Sequence, residues 1–324
     1  MKSNKFLIGI LMCLTAVVSW GGMFPLMGSA LKIMDPFYFT LFRYVSASIV
    51  LVLLLLLIEG LRGFSTEGNL LKIWFLGTMG FAGFSFFVFL GQRLAGSSGA
   101  VIAAVIMAVQ PLLGVIVNFI TTRAVPKLLT ILFMLTGLTG VVMVISKGDV
   151  STFVEKDANI SAYLFILLGA LCFVIYTIGG SSFSKWSPLR YSTLTSLYGT
   201  ISIIIIVSIG TLLGWLKTPS VSAVKDVSGA LFYTAFIAGV LAFFVWNIGN
   251  RLITPVNGIL FMNMVPVTTF IISVIQGYHL STFELVGALI TVGSLIGNNL
   301  YTRKINKKKL SILQKAPQND CFLI

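Results

Sequence analysis

The chain has 324 residues, of which 57% are hydrophobic and only 10% charged, and it carries a net charge of +13. Soluble domains average about 25% charged residues, and no water-solvated core could hide this much apolar surface, so the bilayer must be the solvent for most of the length. The positive charge does not mark a nucleic-acid binder: Lys and Arg are scattered between apolar runs and are densest at the C-terminus, as loop charge is in a membrane protein.

A helix needs about 20 apolar residues to cross the hydrocarbon core. Ten runs meet or approach that length, at residues 6–26, 37–58, 72–91, 97–120, 128–146, 160–181, 190–214, 229–249, 255–276 and 283–301. The first follows Lys2 and Lys5, as a signal peptide would. Its uncharged stretch from Phe6 to Leu31 is long for one and offers no clear cleavage site, so it is expected to stay as a first helix. Asp35-Pro36-Phe37 opens the second run, which holds Arg43. The third ends in Phe86-Phe87-Val88-Phe89-Leu90-Gly91-Gln92-Arg93-Leu94, and Pro111 interrupts the fourth. The longest connection, near 147–159, carries Lys147, Asp149, Glu155, Lys156 and Asp157 and lies at mid-chain.

Past that junction the same signals return. Cys13 and Gly21-Gly22 are matched by Cys172 and Gly179-Gly180, and the opening Asp35-Pro36 by Ser187-Pro188. Phe243-Phe244-Val245-Trp246-Asn247-Ile248-Gly249-Asn250-Arg251-Leu252 repeats the end of the third run with one extra residue, and Pro266 follows as Pro111 did. The reading is an all-α, polytopic membrane protein with ten transmembrane helices in two five-helix repeats, residues 1–148 and 149–302, and a basic tail at 303–324. Five is odd, so the second repeat enters the membrane in the opposite sense, the inverted topology many secondary transporters use. The excess of Lys and Arg in alternate connections and in the tail places both termini in the cytoplasm. Lys307-Lys308-Lys309 is expected to rest on anionic lipid.

With these motifs in order, the chain resembles the drug/metabolite transporter superfamily, in particular its ten-helix EamA-like branch. The resemblance covers residues 6–302. It rests on Ser19-Trp20-Gly21-Gly22, on Pro36 with Arg43, on Gln110-Pro111, on Trp246-Asn247 and on Val265-Pro266. It implies secondary transport of small metabolites, often export of amino acids or related compounds, across a bacterial inner membrane. Spans one, three, four, six, eight and nine would line a central cavity. The chain departs from the pattern at Thr195, where the repeat would place a second arginine. It also lacks the acid of a Gly-Glu-Arg-Leu-like segment, reading Thr122-Arg123-Ala124-Val125 and Gly277-Tyr278-His279-Leu280 there.

Several residues are candidates for function. Proline lacks an N–H, so Pro111 and Pro266 should free the carbonyls of Met107 and Met262 and break their helices. Gln110 and Asn263 flank those breaks as possible substrate ligands, against the alternative of amide pairing between helices. Trp20, Tyr176 and Trp246 present aromatic faces with polar tips, suited to lining a cavity or to the interfacial belt. Arg43, charged and within a span, is a structural or gating residue, with Glu284 as its expected partner. Gly293 and Gly297 offer a close helix contact, within one molecule or in a homodimer.

Other chemistry is not indicated. Three cysteines make no disulfide framework, and the single His279 excludes a His-rich metal site, so no metal or cofactor is expected. No HExxH, GxSxG or P-loop occurs, which argues against an enzyme or a primary pump. The terminal Cys321-Phe322-Leu323-Ile324 fits a prenylation outline by chance. Sugar-phosphate or nucleotide-sugar exchange is the nearest rival function, but it calls for paired intramembrane cations and only Arg43 is present. A channel is the other alternative.

Overall fold

The computed structural model describes residues 2–107, 109–122, 127–149 and 159–315. Most of the expected mid-chain junction, the segment after Thr122 through Val125 and the Cys321 terminus lie outside the described residues, as do the side chains of Asn263 and of the basic tail. Among the described residues there are helices and no strands. The main ones, in chain order, are α1 (Lys2–Ala30), α2 (Pro36–Glu59), α3 (Leu70–Leu94), α4 (Gly99–Met107), α5 (Gln110–Thr122), α6 (Leu128–Ser146), α7 (Ile160–Phe183), α8 (Pro188–Leu212), α9 (Ser228–Ile253), α10 (Asn257–Ile275) and α11 (Thr282–Lys315).

Seven of these (α1, α2, α3, α7, α8, α9 and α10) are long and apolar enough to cross a membrane, and α4 with α5 forms an eighth, bent span. The apolar helix α6 and the apolar part of α11 are shorter. The chain is thus a multi-pass membrane protein. The two expected helix openings form as the sequence suggests. Asp35 accepts a hydrogen bond from Phe37 N at 2.9 Å and Ser187 one from Arg190 N at 2.9 Å, each followed by proline at the first helical position. α11 continues unbroken past residue 302 into the basic tail, as far as Lys315.

The prolines also act differently from a mid-helix kink. α4 stops at Met107, and α5 restarts at Gln110 with a bend of 41°. Pro111 is therefore in the first turn of a new segment, where a missing N–H has no cost. In α10 the chain tightens to a 3-10 turn over Leu260–Asn263 and resumes as α-helix at Met264, again placing Pro266 in a first turn.

α1 packs on α9 and α10, and α7 packs on α3 and on α4 and α5. α2 pairs with α8, and α6 with α11. Exchanging each helix with its counterpart in the other repeat carries this set of contacts onto itself. The two Gly-amide-Arg knots are contact points inside helices, not connections between them. A Cβ on Gly91 would come within 2.5 Å of Ala162 O, and one on Gly249 within 2.5 Å of the Cys13 sulfur. Their neighbours tie ends together: Arg93 pairs with Asp35 at 3.0 Å, and Arg251 donates to Phe183 O at 3.3 Å.

α3 and α9 each contain a π-helical stretch, Thr78–Gly83 and Tyr233–Leu241, at matching places in the two repeats. Such wide turns shift the hydrogen-bond register and cluster at functional sites. In α9, Ala242 N–H donates to Ile237 O, five residues back. Two carbonyls of this stretch also accept from side chains of neighbouring helices. Trp20 Nε1 fills Ala238 O at 2.9 Å, and Arg43 Nε fills Thr234 O at 2.9 Å.

At the end of the bundle where α2 meets α3 and α7 meets α8, a polar latch ties the two connections. Glu67 accepts from Trp186 Nε1 at 2.8 Å and pairs with Arg190 at 2.8 Å, and Arg190 stacks over the Trp186 ring at 4.1 Å. Glu59 accepts from the Ser187 hydroxyl beside it. The Trp186 hydrogen bond, followed by the Arg190 one, lowers the Glu67 carboxyl below its ordinary 4.5. A lowered carboxylate stabilises the fold above its ordinary range and stops doing so as pH falls through the lowered value. Wild-type Tm should therefore drop more steeply below pH 4.5 than that of Glu67→Gln. Parallel Tm–pH curves for the two proteins would show that the latch contributes nothing.

Candidate functional site

α1 and α9 run antiparallel, with Gly9 against Ile253 and Trp20 against Ala238. The C-terminal ends of α1 and α9 therefore lie at opposite ends of the bundle, and each end holds a vestibule. At the Arg251 end a cavity of 180 Å³ is lined by Thr177, Ser181, Tyr191, Asn247, Asn250 and Arg251, among others. At the Arg93 end two adjoining openings, of 350 and 310 Å³, share Gly28, Lys32, Gly96 and Ser97.

Between the vestibules the middle is closed by aromatic side chains. Trp20 lies edge-on to Phe173, Phe243 and Trp246, with ring centroids 5.2, 5.4 and 5.2 Å away. Tyr176 joins through Phe173 and Phe243, and Phe81 stacks on Phe243 at 4.6 Å. Edge-to-face pairs of this kind add about 0.5–1.5 kcal/mol each beyond burial. Each polar tip is anchored. Trp246 Nε1 donates to the Thr177 hydroxyl at 3.3 Å, and Asn247 Nδ2 donates to Tyr176 Oη at 2.9 Å and to Ser192 Oγ at 2.7 Å. Asn247 thereby connects the Arg251 vestibule, which it lines, to the plug.

Next to the plug is a small cavity of only 10 Å³, room for a single water, bounded by Trp20, Phe24, Phe84, Met107, Gln110, Phe173, Met262 and Val265. Met107 and Gln110 flank the α4–α5 break, and Met262 and Val265 flank the point where α10 resumes. The starts of two helical segments thus border one small space. Gln110 is buried there. Its Nε2 reaches Met107 Sδ at 3.3 Å, while its Oε1 has no partner.

The structure brings four expected residues together: Trp20, Tyr176 and Trp246 in the plug, and Gln110 across the small cavity from Trp20. The aromatics belong to the buried core and not to an interfacial belt. Arg43 and Glu284 are not partners. Glu284 accepts from Tyr278 Oη at 2.7 Å and from Ser281 N at 2.8 Å, and lies 3.9 Å from Lys147. Arg43 is wholly buried and lies over the Tyr44 ring at 4.6 Å. Sequence reasoning missed Phe173, Phe243 and Asn247. Asn247 was within reach, because it follows Trp246 in a quoted motif. The phenylalanines carry no signal in a chain with 26 of them.

The profile of the EamA-like transporter family matches twice, over residues 7–146 and 160–300. The chain is 40% identical to the uncharacterized transporter YrdR of Bacillus subtilis (strain 168), over 98% of this chain and 99% of that protein. It is 31% identical to the uncharacterized transporter YyaM of the same organism, over 77% and 80% of the two chains. An uncharacterized transporter of Archaeoglobus fulgidus is 23% identical over 88% of this chain. One crystal structure, at 20% identity, superposes over 94% of this chain and 99% of its own with a TM-score of 0.68.

Proposed function

The chain belongs to the EamA-like transporter family, and from that premise we propose that it is a secondary transporter exporting a small neutral, zwitterionic or hydrophobic metabolite, such as an amino acid. Export would run across a bacterial inner membrane. Ten spans form two inverted five-helix halves, and both termini are cytoplasmic. The Arg251 vestibule then opens to the cytoplasm and the Arg93 vestibule to the outside. The observation that carries this reading is the aromatic plug between two vestibules. Trp20 comes from the first half and Phe173, Phe243 and Trp246 from the second. Relative rocking of the halves separates these rings and opens the small cavity to one side at a time. A contact set unchanged by exchange of the halves supports two end states of related geometry. Nothing in this mechanism uses a buried carboxylate, so exchange or facilitated export is favoured over proton coupling.

Counterflow in proteoliposomes of the purified protein tests the reading. Saturable uptake that is accelerated by unlabelled solute inside is expected. Ionic current that does not saturate would instead support a channel. Gln110 gives a residue-level check. A buried acceptor left unpaired is suited to a donor on the substrate, and one such bond corresponds to about a tenfold rate change. Gln110→Leu should lower the initial rate by about that factor at equal protein level, without lowering Tm. An unchanged rate would return Gln110 to packing.

A further inference from the structure

Arg43 presents the largest unmet hydrogen-bonding capacity in the described core. It is 0% exposed. Its Nε is taken by Thr234 O, and both Nη1 and Nη2 lack any partner. No described carboxylate is paired with it: Asp35 goes to Arg93, Glu59 to Ser187, Glu67 to Arg190, Glu284 to Tyr278 and Lys147, and Asp149 and Asp226 are exposed. A buried guanidinium with no anion is costly, and inside a membrane such a group is retained for a role.

A second orphan, with the opposite character, is one helical turn from a ring that Arg43 approaches. The guanidinium is 5.6 Å from the Phe89 ring. Gln92, one turn further along the same face of α3, is 2% exposed and its Oε1 has no partner. The amide orientation is set, because Gln92 Nε2 donates to Phe24 O at 2.8 Å and a carbonyl only accepts. An acceptor is therefore what Gln92 has left to offer. It also lines the 350 Å³ vestibule at the Arg93 end, alongside Lys32 and Arg93. Arg43 lies deeper, and its anchor Thr234 is one turn of α9 from Ala238, the anchor of Trp20.

We propose that Arg43 and Gln92 form a substrate site that is latent in this closed state and opens towards the Arg93 vestibule. The two free Nη groups form a fork that fits a carboxylate, and Gln92 Oε1 accepts from an ammonium on the same solute. The ligand class is a small zwitterion of the α-amino acid type. This deepens the transporter reading and rests on it. It also gives Arg43 a direct role in recognition beyond holding α2 to α9.

The test uses the purified full-length protein, with thermal shift and isothermal titration against the twenty standard L-amino acids. For each that binds, its carboxamide and the corresponding amine without a carboxylate are titrated as well. At least one amino acid should bind saturably. Removing its carboxylate, or introducing Arg43→Gln, should weaken binding more than tenfold, with Arg43→Lys in between. Gln92→Leu should weaken the amino acid more than a simple carboxylate such as acetate. If Arg43→Gln does not fold, Arg43→Lys and Gln92→Leu decide the matter. Wild-type affinity in Gln92→Leu together with equal affinity for acid and amide would overturn the site, leaving ordered water only at these atoms. So would the absence of any amino-acid binding. Counterflow separates the two levels: saturable flux of a solute without a carboxylate removes this site but keeps the transporter, whereas no saturable flux of any solute removes both.

Discussion

Trp20→Ala is expected to abolish transport and to lower stability more than any other single change in the plug. Trp20 makes three edge contacts to rings of the other half and donates to the Ala238 carbonyl of α9. Truncating a buried tryptophan costs about 3–5 kcal/mol. Here the vacated volume also joins the 10 Å³ cavity that Trp20 bounds. Transport requires a barrier that closes, so the initial counterflow rate should fall below a tenth of wild type. Trp20→Phe separates the two contributions. It keeps an aromatic face but no donor, and should retain most of the Tm while still losing rate. If Trp20→Ala transports at the wild-type rate, the plug is not the barrier.

Gly91→Val is expected to have the second largest effect, on folding. A Cβ there would meet the backbone of α7 at Ala162 O, which cannot rotate away as a side chain would. Overpacking a helix contact typically costs about 1–3 kcal/mol, and the upper part of that range applies when the obstacle is backbone. Monodisperse yield and Tm in detergent should both fall. Gly249→Val should do less harm, because its nearest obstacle is the Cys13 side chain. The reverse order would mean that α1–α9 contact, not α3–α7 contact, governs assembly.

Much of the fold was legible in the sequence, for physical reasons. Hydrocarbon enforces helices and their length, so apolar runs such as 37–58 locate α2 to within two residues. Asp35-Pro36 and Ser187-Pro188 name their own caps. The prolines were harder, because a missing N–H is compatible with either a kink or a fresh start, and only the path of the chain separates the two. The site was partly legible. Trp20, Tyr176 and Trp246 stood out as aromatics within spans, yet their meeting point depends on helix rotations that hydrophobicity does not encode when every face is apolar. The π stretches at Thr78–Gly83 and Tyr233–Leu241 left no compositional mark. Arg43 and Glu284 were paired by charge alone. In the fold, local donors satisfy Glu284 first: Tyr278 and Ser281 are within six residues of it.

The repeat is imperfect at one place that matters. α2 sends Arg43 across to a carbonyl of α9, whereas α8 offers Thr195, whose hydroxyl bonds to Tyr191 O in its own helix. In the proposed two-half mechanism, identical halves would make the inward and outward states mirror roles of equal energy, and the idle protein would spend half its time in each. A charged strut on one side alone removes that equality. Each 1.4 kcal/mol of difference weights the resting populations tenfold. On that mechanism two equivalent halves would make a reversible shuttle, and the unmatched arginine would give it a parking position.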